Sequence, residues 1–336
     1  MRRLLKSSTL DLMARPWFSQ LLSRIGGHRC AILMLHRFQR HGSTEEGHDP
    51  QALRRLLAGL RQGGVALVDV DDVARGRTDG VELSGSSRIS VAFTVDDGYA
   101  DLMEVAAPIF AEFDCPVTGF VVPDVVARHR WYWWDQIDWI LRHAKSPSIP
   151  TELGGTPYAL EWATALERHS VQRRLGERLK RESPRSLAEF IDQLSQLADV
   201  PVPDQAPPEY ATLTWEQLRS AERVGVRFGA HSMTHPILSG CDDMQAAHEV
   251  VESVRQVRSN LVRPSEVFCY PNGLSGDFGA RERALVREAG AQAALTSIPA
   301  LVRYRGKEPA EMEQVFALPR FAYDERSGGV ARMLLG

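Results

Sequence analysis

The chain has 336 residues, 43% of them hydrophobic and 25% charged. That is enough apolar material to bury a full core, and too ordinary a mixture for a disordered or fibrous protein. A formal net charge of −3 argues against a nucleic-acid binder, and Cys30, Cys115, Cys241 and Cys269 show neither CxxC spacing nor the density of a disulfide framework, so they read as isolated buried thiols.

Residues 1–28 read as a segment of their own. Arg2, Arg3, Lys6, Arg15 and Arg24 are set against only Asp11. The continuous apolar stretch of a signal peptide or spanning helix is missing, which predicts a cytoplasmic protein. Trp17, Phe18, Leu21, Leu22 and Ile25 recur at helical spacing behind Pro16, a residue suited to a first helical turn. Two readings follow: a helix packed on the rest of the protein, or a basic amphipathic segment in peripheral contact with an anionic inner membrane face.

From residue 29 to 336, apolar runs alternate with segments of helical period, the pattern of repeated βα units around a parallel sheet. Strands are expected near Ala31–Leu35, Val65–Val68, Ile89–Thr94, Val117–Val122, Val226–Ala230, Glu266–Tyr270, Ala291–Thr296 and Gln314–Leu318. Helices are expected over Pro50–Gln62, Tyr99–Phe113, Thr214–Arg223, Met244–Leu261 and Arg281–Ala289. A barrel is the economical closure of that many parallel strands.

The interval from about 127 to 208 breaks the alternation. It has no convincing strand, it is rich in Arg, Glu and Leu, and prolines crowd positions 201, 203, 207 and 208, so it reads as a helical insertion. It begins with Trp131-Tyr132-Trp133-Trp134, which could stack on sugar faces or acyl chains, or simply anchor the insertion by packing.

Two motifs carry chemistry. Asp96 and Asp97, in Phe93-Thr94-Val95-Asp96-Asp97-Gly98-Tyr99, fall at the carboxyl end of an expected strand, where α/β folds place their reactive groups. Adjacent carboxylates point in different directions, so one can bind a cation while the other faces a water on it. Far downstream, His231-Ser232-Met233-Thr234-His235-Pro236 offers two histidines four apart. Two imidazoles and one carboxylate leave positions open for water and substrate, as catalytic rather than structural metal sites do. Taken singly, either motif could be a cap or a solvated surface feature.

At these residues, together with Phe268-Cys269-Tyr270-Pro271-Asn272-Gly273 and Leu318-Pro319-Arg320, the chain resembles the polysaccharide deacetylases of carbohydrate esterase family 4. Ile32-Leu33-Met34-Leu35-His36-Arg37-Phe38 is similar to the opening strand of the branch linked to surface and extracellular polysaccharide synthesis. The resemblance runs in the family's order from about residue 30 to about 325. It implies an α/β fold, an irregular (β/α)7-type barrel with the helical insertion. It also implies a divalent metal on Asp97, His231 and His235, zinc first, although nickel, cobalt, manganese or iron would suit such ligands. Asp96 would be the base that takes the proton of the attacking water, and the Asn272 N–H would face the developing oxyanion.

Two departures qualify what the resemblance implies. Many members carry an arginine where Cys269 stands, so Arg320 becomes the candidate for orienting the base, with a surface salt bridge as its plain alternative. The family's late histidine, which protonates the leaving amine, is missing, since no histidine follows His248. His36, at the end of the first strand, is the candidate acid. The expected function is metal-dependent removal of an N-acetyl group from an amino sugar in a saccharide or lipid-linked saccharide precursor. Deformylation or O-deacetylation is the nearer alternative, and a non-catalytic saccharide-binding or assembly role the more distant one.

Overall fold

The computed structural model describes residues 28–40, 47–76, 89–153, 156–304 and 314–324. The expected amphipathic segment at the amino terminus lies outside the described residues. The chain divides into two compact units, residues 127–211 and the remainder.

In the larger unit, β1 (His28–Leu35), β2 (Ala66–Leu67), β3 (Ile89–Val95) and β4 (Val117–Val121) come first. The smaller unit contributes β5 (Ser148–Leu153) and β6 (Thr156–Glu161). The larger unit then resumes with β7 (Arg227–Ala230), β8 (Val267–Cys269), β9 (Ala293–Leu295), β10 (Val302–Tyr304) and β11 (Phe321–Ala322). β1, β3, β4, β7, β8 and β9 are neighbours in that order and all parallel. The stretch 318–322 joins the two ends of this curled sheet: Leu318 bridges Leu295 of β9, and Phe321 pairs with Leu33 of β1. The result is the irregular α/β barrel that the motifs implied.

The strands form where the sequence is apolar on both faces, because one face meets the barrel interior and the other the surrounding helices. All five residues of β4 are buried. Ile32, Ala92, Phe120, Val267, Ala293 and Leu295 meet in one interior cluster, filling the barrel rather than leaving a pore. The helix Pro50–Gln62 begins with Asp49 accepting from the Gln51 N–H and with proline in its first turn. It buries Leu53, Leu56, Leu57 and Leu60, a spacing that draws one helical stripe. Each such leucine contributes roughly 1.5–3 kcal/mol of apolar burial.

Three expectations need correction. Gln314–Leu318 is not a strand: Gln314–Ala317 is a 3-10 turn, and the pairing with β1 falls to Phe321–Ala322. A short apolar run is buried as well by a turn as by a strand, and here the turn seats Phe316 in the core while its carbonyl accepts from the Tyr270 hydroxyl. The helices expected over Tyr99–Phe113 and Met244–Leu261 are each interrupted by a π-helical segment, Leu102–Ala106 and His248–Glu252. The insertion, expected to be helical without strands, contains a hairpin: β5 and β6 pair antiparallel from Ser148↔Glu161 to Leu153↔Thr156. The sequence signal was there, since Gly154-Gly155 separates two short runs.

The smaller unit packs the helices Trp133–His143, Ala165–Leu179 and Pro184–Ala198 with that hairpin around Ile137, Ile140, Ile149, Leu160, Leu175 and Leu194. Trp131 and Tyr132 are buried, and the Trp131 indole N–H donates to the Pro203 carbonyl, so packing accounts for the start of the aromatic run. Among the described residues, no helix is long and apolar enough to cross a membrane.

Candidate active site

Register brings the motifs together at the carboxyl ends of the parallel strands. Leu35 of β1 lies opposite Val95 of β3, and the Asp96 N–H donates to the Leu35 carbonyl at 2.9 Å, so His36 and Asp96 leave adjacent strand ends. On the other side, Val121 lies opposite Ala230 and Ala230 opposite Phe268. His231 and Cys269 are therefore the next residues on neighbouring strands.

Asp97, His231 and His235 form one group whose candidate ligand atoms all lie within 4.8 Å of one another. Asp97 Oδ1 is 3.8 Å from His231 Nε2 and 3.6 Å from His235 Nε2, and the two rings stand edge to face with centroids 4.7 Å apart. Ligands about 2.0–2.1 Å from a tetrahedral zinc stand roughly 3.3 Å apart, so the spacing suits an ion with little adjustment. Burial pushes His231 down to about 4 and His235 well below its ordinary value, which keeps both imidazoles neutral with a lone pair to offer. His231 Nδ1–H donates to the Cys269 carbonyl at 2.8 Å, fixing the tautomer that turns Nε2 toward Asp97. The donor chemistry and the geometry both fit a divalent cation.

The backbone supporting this group is strained. Asp97, Ser232 and His235 have φ of 69°, 60° and 66°, in the left-handed region that costs an ordinary residue about 1–3 kcal/mol. Gly98 follows at φ 64°, and a side chain there would meet Val121 Cγ1 at 2.8 Å, which explains the glycine of the DDG motif.

Asp96 points into a second cluster. Arg320 grips it with both ends of its fork, Nη1 to Oδ1 at 2.8 Å and Nη2 to Oδ2 at 2.9 Å. The same guanidinium donates to Thr94 Oγ1 and to the Thr296 carbonyl, and Nη2 lies 3.0 Å from Cys269 Sγ. Arg320 is completely buried, which rules out the surface salt bridge. Burial pushes the Asp96 carboxyl up, but the charge of Arg320 and its hydrogen bonds outweigh that and hold Asp96 well below the usual carboxylate range. Cys269 is fully buried against this pair: its Sγ is 3.6 Å from Asp96 Oδ2, and burial pushes its thiol far up, so it stays protonated.

His36 is half-buried beside this pair. Burial pushes its pKa down, the Asp96 charge opposes that, and the Arg320 charge reinforces it. Asn272 follows Cys269 by three residues in a left-handed turn at φ 58°, with its side-chain amide on the Asp277 carboxylate, which also accepts from the Leu274 N–H at 2.9 Å. Among the described residues, none accepts a hydrogen bond from the Asn272 backbone N–H. No hydrogen bond links Asn272 to either aspartate among the described residues. Sequence reasoning missed Thr94, which accepts from Arg320, and Glu249, which holds the histidine loop. It also missed Asp101, whose ion pair with Arg37 at 2.7 Å fastens the chain just after His36.

The family model described as polysaccharide deacetylase matches residues 84–294. Among solved structures, the chain is similar to the Streptococcus pyogenes deacetylase PplD in complex with acetate, at 15% identity and a TM-score of 0.55, covering 92% of this chain and 98% of that one. It is similar to IcaB from Ammonifex degensii at 14% identity and a TM-score of 0.53, with the same coverage of the two chains. No curated protein matches the sequence. These likenesses show the fold, while the family match runs from before β3 into β9 and so takes in both aspartates, both histidines of the loop and Asn272: the chain belongs to the polysaccharide deacetylase family.

Proposed function

We propose that the protein is a metal-dependent de-N-acetylase acting on an amino-sugar-containing saccharide. The observation that carries this reading is the pairing of two different carboxylates on consecutive residues: Asp97 faces two neutral histidines, and Asp96 is held ionised by a buried arginine. Asp97, His231 and His235 would hold a divalent cation, zinc by the donor set, which when bound polarises an acyl carbonyl and acidifies a water.

Asp96 accepts the proton of the attacking water. Arg320 keeps that carboxylate in one orientation and ionised, so the base is ready at neutral pH. The Asn272 N–H, aimed by the rigid Pro271-Asn272-Gly273 turn, donates to the oxyanion as the carbonyl becomes tetrahedral. His36, on the strand end next to Asp96, takes up the proton drawn from the attacking water and hands it to the departing amine, and acetate and a free amino sugar result.

The test is acetate release from N-acetylglucosamine oligomers by zinc-loaded protein. Release that disappears on chelation and returns with zinc is expected, and a His36→Ala variant should lower kcat by about 10²–10⁴-fold with zinc still bound. Release unaffected by chelation contradicts the metal reading. Full activity in the His36→Ala variant removes the proposed acid.

A further inference from the structure

The loop His231–Pro236 presents two of the three candidate ligands: Ser232 and His235 both sit at positive φ, the His235 N–H donates to Ser232 Oγ at 3.0 Å, and the Met233 carbonyl accepts from the Asp124 N–H at 3.2 Å. A carboxylate from a distant element meets the middle of the loop. Glu249 Oε2 accepts from the backbone N–H groups of both Met233 and Thr234 at 2.9 Å, and Oε1 accepts from the Thr234 hydroxyl at 2.6 Å. Glu249 is only 3% exposed. Among the described residues, its hydrogen bonds all go to this loop. It sits in the π-helical segment His248–Glu252, a local widening that recurs at functional sites because it redirects a side chain.

We infer that Glu249 is a positioning residue for the cation, clamping Met233 and Thr234 so that His231 and His235 keep their spacing around Asp97. This rests on the metal reading of the site. A carboxylate accepts from all three groups at once; aspartate would fall a methylene short, and glutamine could keep both N–H bonds through its carbonyl while the Thr234 hydroxyl turned to accept from its NH2, so breaking the clamp takes removal of the side chain. The clamp acts through peptide groups between the two histidines, so its loss changes the geometry of the ligands without removing either.

The experiment measures zinc affinity by chelator competition and the visible spectrum of the cobalt-substituted protein, for wild type, Glu249→Ala and Thr234→Val. Thr234→Val deletes the hydroxyl bond and leaves both N–H bonds in place. Glu249→Ala is expected to weaken zinc binding 10–100-fold and to change the cobalt bands at saturating metal, and Thr234→Val to shift both in the same direction by a few-fold. A glutamate that only supports the fold would leave the cobalt spectrum unchanged. Wild-type affinity and spectrum in both variants overturn the proposal, and if Glu249→Ala does not fold, an unchanged Thr234→Val overturns it alone. Wild-type protein that binds neither metal instead sinks the metal reading, and this inference with it.

Discussion

Asp96 and Asp97 are consecutive residues with opposite surroundings. Asp97 turns through positive φ toward two imidazoles, whereas Asp96 continues the strand direction into a guanidinium fork. Their separation, and the gathering of His231 and His235 around Asp97, were expected from the ordered set of motifs and the family the chain resembles, since either motif taken singly has a plain reading as a cap or surface feature. Arg320 was the expected orienter of the base because Cys269 stands where many family members carry an arginine; its complete burial was not legible, since nothing in a spacing of 224 residues says how deep an arginine will sit. Nor was Glu249, whose value lies wholly in the turn it meets. The buried pair sets a stability test. Arg320→Ala leaves Asp96 uncompensated and is expected to destabilise the fold by about 3–5 kcal/mol in urea melts near pH 7. In the wild type the folded carboxyl lies below its unfolded value of about 3.9, so its contribution is present above that pH and is lost on acidification. The deficit of Arg320→Ala should therefore narrow as the pH drops from 7 below 4. A deficit that is small, or constant with pH, would contradict a strong buried pair.

Among the elements, strands were read well where both faces are buried, since a continuous apolar run bounded by turns has few alternatives. The misreadings fell where the physics is ambiguous. Gln314–Leu318 is apolar but short enough for a turn, and Pro150 and Pro157 obscured a hairpin. The π segments are five residues each, too short for a hydrophobic period to reveal. β7 shows how tightly these elements approach: a side chain at Gly229 would meet the Val267 carbonyl at 2.5 Å and the Phe120 ring at 2.7 Å. Gly229→Val should cost about 1–3 kcal/mol or more, read from thermal or denaturant unfolding, and should lower zinc affinity because His231 leaves the same strand. A variant as stable as wild type would mean that β7 and β8 have room to separate.

For the whole molecule, the site sits where the barrel's parallel strands end, and its ligands come from two loops far apart in the chain. A cation shared by such loops binds the folded chain and not the unfolded one, so zinc at 100 times its dissociation constant is expected to add about 2.7 kcal/mol of stability. Calorimetric melts with zinc and with chelator check this. A melting temperature that ignores both would show that the loops hold no ion.

The proposed chemistry requires Asp96 to be the base and Asp97 the ligand. The most direct measurement is acetate release by Asp96→Asn beside its zinc stoichiometry. The expected result is at least a 10²-fold loss of kcat with one zinc still bound per chain. Activity close to wild type, or loss of the zinc together with the activity, would contradict that division of roles.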